Sequence, residues 1–138
     1  MLGEKLGESR GKATGTRVLA SEGKRVKVEV SFQGKGQILG REISDTGTYW
    51  QTVREDGVLY GEGHVLLMTK EGDIADWTGF GVGRPVGAAP AARYAVCGCF
   101  QSASERLHRL TTTATVTEYE VDDQGAYHWT MWEWNAEK

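Results

Sequence analysis

Tyr60, Glu62 and His64 stand two residues apart in the stretch from Val58 to Thr69, and in an extended chain that spacing puts all three on one face. A carboxyl group beside an imidazole and a phenol is a proton-transfer set. If their face lines a water-poor lumen, burial raises the carboxyl pKa and supplies the acid or base that an isomerisation or cyclisation needs. The opposite face carries Leu59, Gly61, Gly63, Val65 and Leu67. If that face lines the lumen, Glu62 and His64 are ordinary polar residues of a solvated exterior. Glu62, His64 and Tyr60 are therefore the catalytic candidates. Tyr49, Trp77, Tyr119 and Trp132 are the candidates for holding a ligand, because aromatic rings bring large apolar area together with a single polar atom.

Other chemistries find no complete set of residues. Cys97 and Cys99 fall on one face of a strand, roughly 6.5 to 7 Å apart and at the outer limit of disulfide geometry, so they read as buried free thiols. His64, His108 and His128 show no metal-binding spacing with each other or with the cysteines, and no metal site is expected. The runs Gly34-Lys35-Gly36 and Gly79-Phe80-Gly81-Val82-Gly83 neither open a helix nor precede the Lys-Ser or Lys-Thr pair of a phosphate loop. Ser102 and Ser104 lack the glycine-flanked turn of a hydrolase nucleophile. Glu118, Glu120 and Glu133 alternate with aromatic and β-branched residues, as the wet face of a strand does. No cofactor is called for.

The elements that must position these side chains are announced by turn cassettes. Glu22-Gly23, Asp56-Gly57, Glu71-Gly72 and Gln124-Gly125 separate stretches in which Val, Ile, Thr, Tyr and Trp alternate with polar residues or glycine. Strands are predicted from Thr14 to Ala20, Arg25 to Phe32, Gln37 to Ile43, Thr48 to Arg54, Val58 to Thr69, Ile74 to Gly83, Arg93 to Gln101, Thr112 to Val121 and Ala126 to Trp134. Gly34-Lys35-Gly36 bends the chain and Ser44-Asp45-Thr46-Gly47 makes a turn or kink, which gives eight or nine strands. Ser102 followed by Glu105 resembles a capping box, with Leu107 and Leu110 at helical spacing, and predicts one short helix near residues 102–110. Glycine recurs on one face of several strands, which favours an all-β antiparallel meander closed into a small barrel. Residues 1–12 mix glycine with charge and read as a flexible arm before a single barrel domain over 13–138.

The succession Gly47-Thr48-Tyr49-Trp50, Arg54-Glu55-Asp56-Gly57, Tyr60-Gly61-Glu62-Gly63, Trp77-Thr78-Gly79-Phe80-Gly81-Val82-Gly83 and Glu118-Tyr119-Glu120-Val121-Asp122 resembles a group of uncharacterised microbial proteins. These are thought to adopt allene-oxide-cyclase-like, calycin-like barrels. The likeness covers roughly residues 14 to 134 and lies in glycine-and-aromatic strand texture. It implies a barrel fold and no particular activity. Relatives of this barrel include cyclases and dirigent-type proteins that bind hydrophobic small molecules, but none of their catalytic motifs matches residues here.

Composition bounds the partners. With 39% hydrophobic and 25% charged residues the chain is that of an ordinary globular domain, and a net charge of −3 offers nothing to nucleic acid or anionic lipid. The longest apolar run, Val65 to Met68, is far short of a membrane span, and no signal-type apolar core precedes residue 20, so a cytoplasmic location is expected. The last strand carries Trp132 and Trp134 on one face and Tyr127, Trp129 and Met131 on the other. Two apolar faces imply that one meets a second copy of the chain or a covering segment. The sequence thus points to a barrel binding a small apolar or amphipathic molecule, with an isomerase or cyclase and a packed structural module as alternatives.

Overall fold

Asp56-Gly57, Glu71-Gly72 and Gln124-Gly125 each reverse the chain. Gly57, Gly72 and Gly125 take positive φ of 83°, 96° and 81°, the left-handed step that completes a type I hairpin turn and that glycine makes without strain. The Asp56 carboxyl accepts the Val58 N–H at 3.0 Å, and Asp122 accepts those of Gln124 and Ala126 at 2.8 and 3.0 Å. Asp56 and Asp122 therefore pre-form the turns at Gly57 and Gly125, and at Gly72 the Thr69 hydroxyl accepts the Asp73 N–H at 2.9 Å instead.

The structure is a computed structural model that describes residues 1–20 and 25–135; the Glu22-Gly23 cassette lies outside the described residues. Its strands are β1 (Leu2–Leu19), β2 (Lys27–Ile38), β3 (Arg41–Val53), β4 (Leu59–Thr69), β5 (Ile74–Pro85), β6 (Ala92–Gln101), β7 (Ala114–Val121) and β8 (Ala126–Trp134). They pair antiparallel in chain order and β8 returns to β1, so the barrel is closed. Closure removes every sheet edge.

Three expectations are corrected here. Residues 1–12 are not an arm: Gly7 to Lys12 pair with β2 and Leu2 to Lys12 with β8, and this segment is what closes the ring. Ser44 to Gly47 is not a turn. The chain reverses at Leu39 and Gly40, both with positive φ, and Asp45 lies in mid-strand opposite Gly34. Gly34-Lys35-Gly36 lies inside β2, so the strand count is eight.

Leu59, Gly61, Gly63, Val65 and Leu67 of β4 face inward, and the core is built from such alternating sets. The expected short helix is present as one 3-10 turn (Glu105–Leu107) running into α1 (His108–Thr111). Its capping box does not form as expected. Ser102 Oγ instead donates to the Ile74 carbonyl at 2.6 Å and accepts the Ser104 N–H. Leu107 and Leu110 are wholly buried in the same core cluster as Leu6, Ile38, Ile43 and Phe100, so this segment plugs one end of the barrel. Ser104 and Arg106 hold it to Asp73, and Arg109 holds it to Glu4 and Glu133. The bond from Ser104 keeps the Asp73 carboxyl below the usual carboxylate range.

Candidate functional site

Bare sheet lies inside the wall where β4, β5 and β6 meet. Gly61 pairs with Gly81, Gly63 with Gly79, and Gly79 with Gly98, all in adjacent register. Trp77 lies flat on part of this surface: a Cβ at Gly79 or Gly98 would overlap its indole ring. The ring is fixed by Nε1 donating to Thr115 Oγ1 at 3.0 Å, and that hydroxyl donates in turn to the Gly98 carbonyl at 3.1 Å. Above the remaining bare wall an apolar cavity of about 100 Å³ opens, bordered by Tyr49, Val65, Trp77, Val96, Tyr119 and Trp129 among others.

Aromatic rings continue from the cavity. Tyr94 and Tyr119 have centroids 5.5 Å apart, Tyr119 and Tyr127 5.6 Å, and Phe32 meets Tyr127 edge-on at 5.0 Å. Tyr94 donates its hydroxyl to Gln51 Oε1 at 2.5 Å. Burial pushes the phenols of Tyr49, Tyr94, Tyr119 and Tyr127 above the ordinary tyrosine value of 10.0, so all four remain neutral hydroxyl groups at physiological pH.

Next to these rings lies a polar network that sequence reasoning missed. Asp45 is 1% exposed, and its carboxyl accepts hydrogen bonds from Ser9 Oγ, from the Tyr127 hydroxyl at 2.7 Å and from Trp129 Nε1 at 3.2 Å. The register explains how one side chain on β3 reaches β1 and β8. Asp45 pairs with Gly34, Gly34 with Gly11, and Gly11 with Tyr127, so no side chain stands between them. Any Cβ at Gly34 would collide with the Tyr127 hydroxyl. A signal was available in the alternation Ile43, Asp45, Gly47, Tyr49, which puts the aspartate on an inward-facing set.

The proposed catalytic face points the other way. Tyr60, Glu62 and His64 lie on the outer surface of β4, so the inward placement on which their proton-transfer role depended is not met. Glu62 borders the cavity only where the wall is one backbone thick, between Gly61 and Gly63, while its carboxyl takes the Tyr60 hydroxyl at 2.9 Å on the outside. His64 Nδ1 is 3.4 Å from the exposed Thr78 hydroxyl. Of the ligand candidates, Tyr49, Trp77 and Tyr119 face the cavity. Trp132 is on the exterior, because Tyr127, Trp129 and Met131 take the inward positions of β8. Cys97 and Cys99 also point outward from β6, half-buried and exposed respectively, rather than into the core. Among the described residues no group of three His, Cys, Asp or Glu side chains is arranged to hold a metal ion.

No protein-family model and no curated protein matches the chain. Solved structures do. A conserved protein of unknown function from Rhodopseudomonas palustris superposes with a TM-score of 0.81 at 11% identity, covering 96% of this chain and 97% of its own. A β-barrel-like protein from Acinetobacter baumannii gives 0.80 at 15% identity, covering 96% and 94%. A structure described as an enzyme from Penicillium herquei gives 0.65 at 16% identity, covering 94% and 92%. At such identities the similarity establishes a shared barrel fold.

Proposed function

We propose that the barrel binds a small apolar or amphipathic molecule in its lumen, against Trp77, Trp129, Tyr49 and Tyr119. The observation that carries this reading is the apolar cavity of about 100 Å³ beside the glycine wall. An unfilled volume of that size costs about 2 kcal/mol at roughly 24 cal/mol per Å³. A barrel built only for rigidity would fill it with side chains, which weighs against a purely structural module. Thermal unfolding in the presence of benzene, toluene and indole tests the reading. Wild type is expected to gain several degrees, and Val96→Phe, which fills the cavity from β6, is expected to gain none. Equal responses would mean that the molecules bind elsewhere.

A second reading, a cofactor-independent isomerase or cyclase, is favoured by one observation: the barrel interior holds a buried carboxyl group, that of Asp45, one hydrogen bond behind Trp129 of the cavity wall, in place of the outward-facing Glu62. The Penicillium herquei barrel, described as an enzyme, is in keeping with it. Self-association belongs to the same proposal. Phe80 and Trp134 remain 52% and 49% exposed on the outer face, and sedimentation at micromolar concentration is expected to find more than a monomer. No helix is long and apolar enough to cross a membrane among the described residues.

A further inference from the structure

Thr117 lines the cavity, is only 7% exposed, and its Oγ1 is buried without a hydrogen-bond partner. Its neighbour two residues earlier shows how unusual that is. Thr115, on the same inward face of β7, both accepts from Trp77 and donates to the Gly98 carbonyl. Buried hydroxyl groups are ordinarily paired, and an orphan calls for a reason. A trapped water is a poor one, since a buried water needs two or more polar partners and the residues directly beside Thr117 in the two ladders are Val96 and Met131. No hydrogen bond holds its χ1. Rotation between staggered wells exchanges the methyl and hydroxyl groups on the cavity side.

We infer that Thr117 is the polar anchor of the lumen and that the ligand is a small ring bearing one hydroxyl or carbonyl group, a phenol being the simplest example. This rests on the binding reading above and adds the chemical class. The size agrees: a dry apolar cavity of roughly 150 Å³ holds one benzene, and the space beside Thr117 is of that order, at about 100 Å³. The ring stacks among Trp77, Trp129 and Tyr119, while its oxygen exchanges a hydrogen bond with Thr117 Oγ1.

The test is a titration of wild type, Thr117→Val and Thr117→Ser with benzene and with phenol, followed by amide NMR shifts. Valine keeps the shape of threonine and replaces the hydroxyl by a methyl, whereas serine keeps the hydroxyl. Thr117→Val is expected to lower the ratio of phenol to benzene affinity roughly tenfold, the worth of one neutral hydrogen bond, and to leave benzene binding intact. Thr117→Ser is expected to preserve the ratio. An unchanged ratio in Thr117→Val, or benzene binding to wild type without phenol binding, overturns the anchor and leaves the lumen reading standing. If wild type binds neither molecule, the lumen reading fails and the anchor with it.

Discussion

Asp45→Ala is expected to destabilise the barrel by at least about 3 kcal/mol, seen as a fall of roughly 10 °C in the melting temperature. The substitution leaves Ser9, Tyr127 and Trp129 without the acceptor that now receives all three, in a region where Ser9 and Asp45 are each 1% exposed. Each stranded buried donor costs about 1 to 3 kcal/mol. Asp45→Asn should behave differently. Its amide oxygen can take the position that serves Tyr127 and Trp129, while its NH2 group donates to Ser9, whose hydroxyl reverses role. Stability within about 1 kcal/mol of wild type is therefore expected for Asp45→Asn, measured by urea unfolding. If both variants lose the same amount, the network is not held by hydrogen bonding in the way described. Should a reaction be found in the lumen, Asp45→Asn is also the variant that separates an ionisable role from a structural one.

Removal of residues 1–12 is expected to abolish cooperative folding, with loss of near-ultraviolet dichroism and no thermal transition. Truncating an arm would leave the melting temperature unchanged. Here the segment pairs on both sides, supplies Leu6 to the core and Ser9 to Asp45, and without it β8 and the Gln33 to Ile38 half of β2 become open edges. The inward faces of Tyr127, Trp129 and Met131 would lose the wall beside them.

That segment also shows why the sequence was legible in part. Elements with hydrophobic inward positions declared themselves: Leu59, Val65 and Leu67 on β4, and Tyr127, Trp129 and Met131 on β8, bounded by aspartate and glycine turns. In β1 the inward residues after Leu6 are Gly7, Ser9 and Gly11, the irregularity between Lys5 and Gly7 breaks the period, and without a hydrophobic beat the alternation cannot be heard. The same smallness concealed Asp45. Polar residues beside glycine look like a turn, whereas here glycine makes room for a carboxyl that reaches across two strands. For Tyr60, Glu62 and His64 the shared face was readable but its direction was not, because both faces of β4 carry polar or small residues together with apolar ones. Only closure of the barrel decides which is inside.

Pairing strictly in chain order also sets the timing of assembly. Seven of the ladders join neighbours along the chain and can form as hairpins while the polypeptide is still emerging, each closing a short loop. The eighth ladder brings Gly11 to Tyr127 and Ser9 to Trp129, and it cannot form until almost the entire chain is available. Asp45 then receives its bonds from both ends of the molecule at once, from Ser9 near the start and from Tyr127 and Trp129 near the finish. The buried carboxyl thus acts as a checkpoint on completion: it is satisfied only in a ring that has shut, and every partly built sheet leaves it wanting partners.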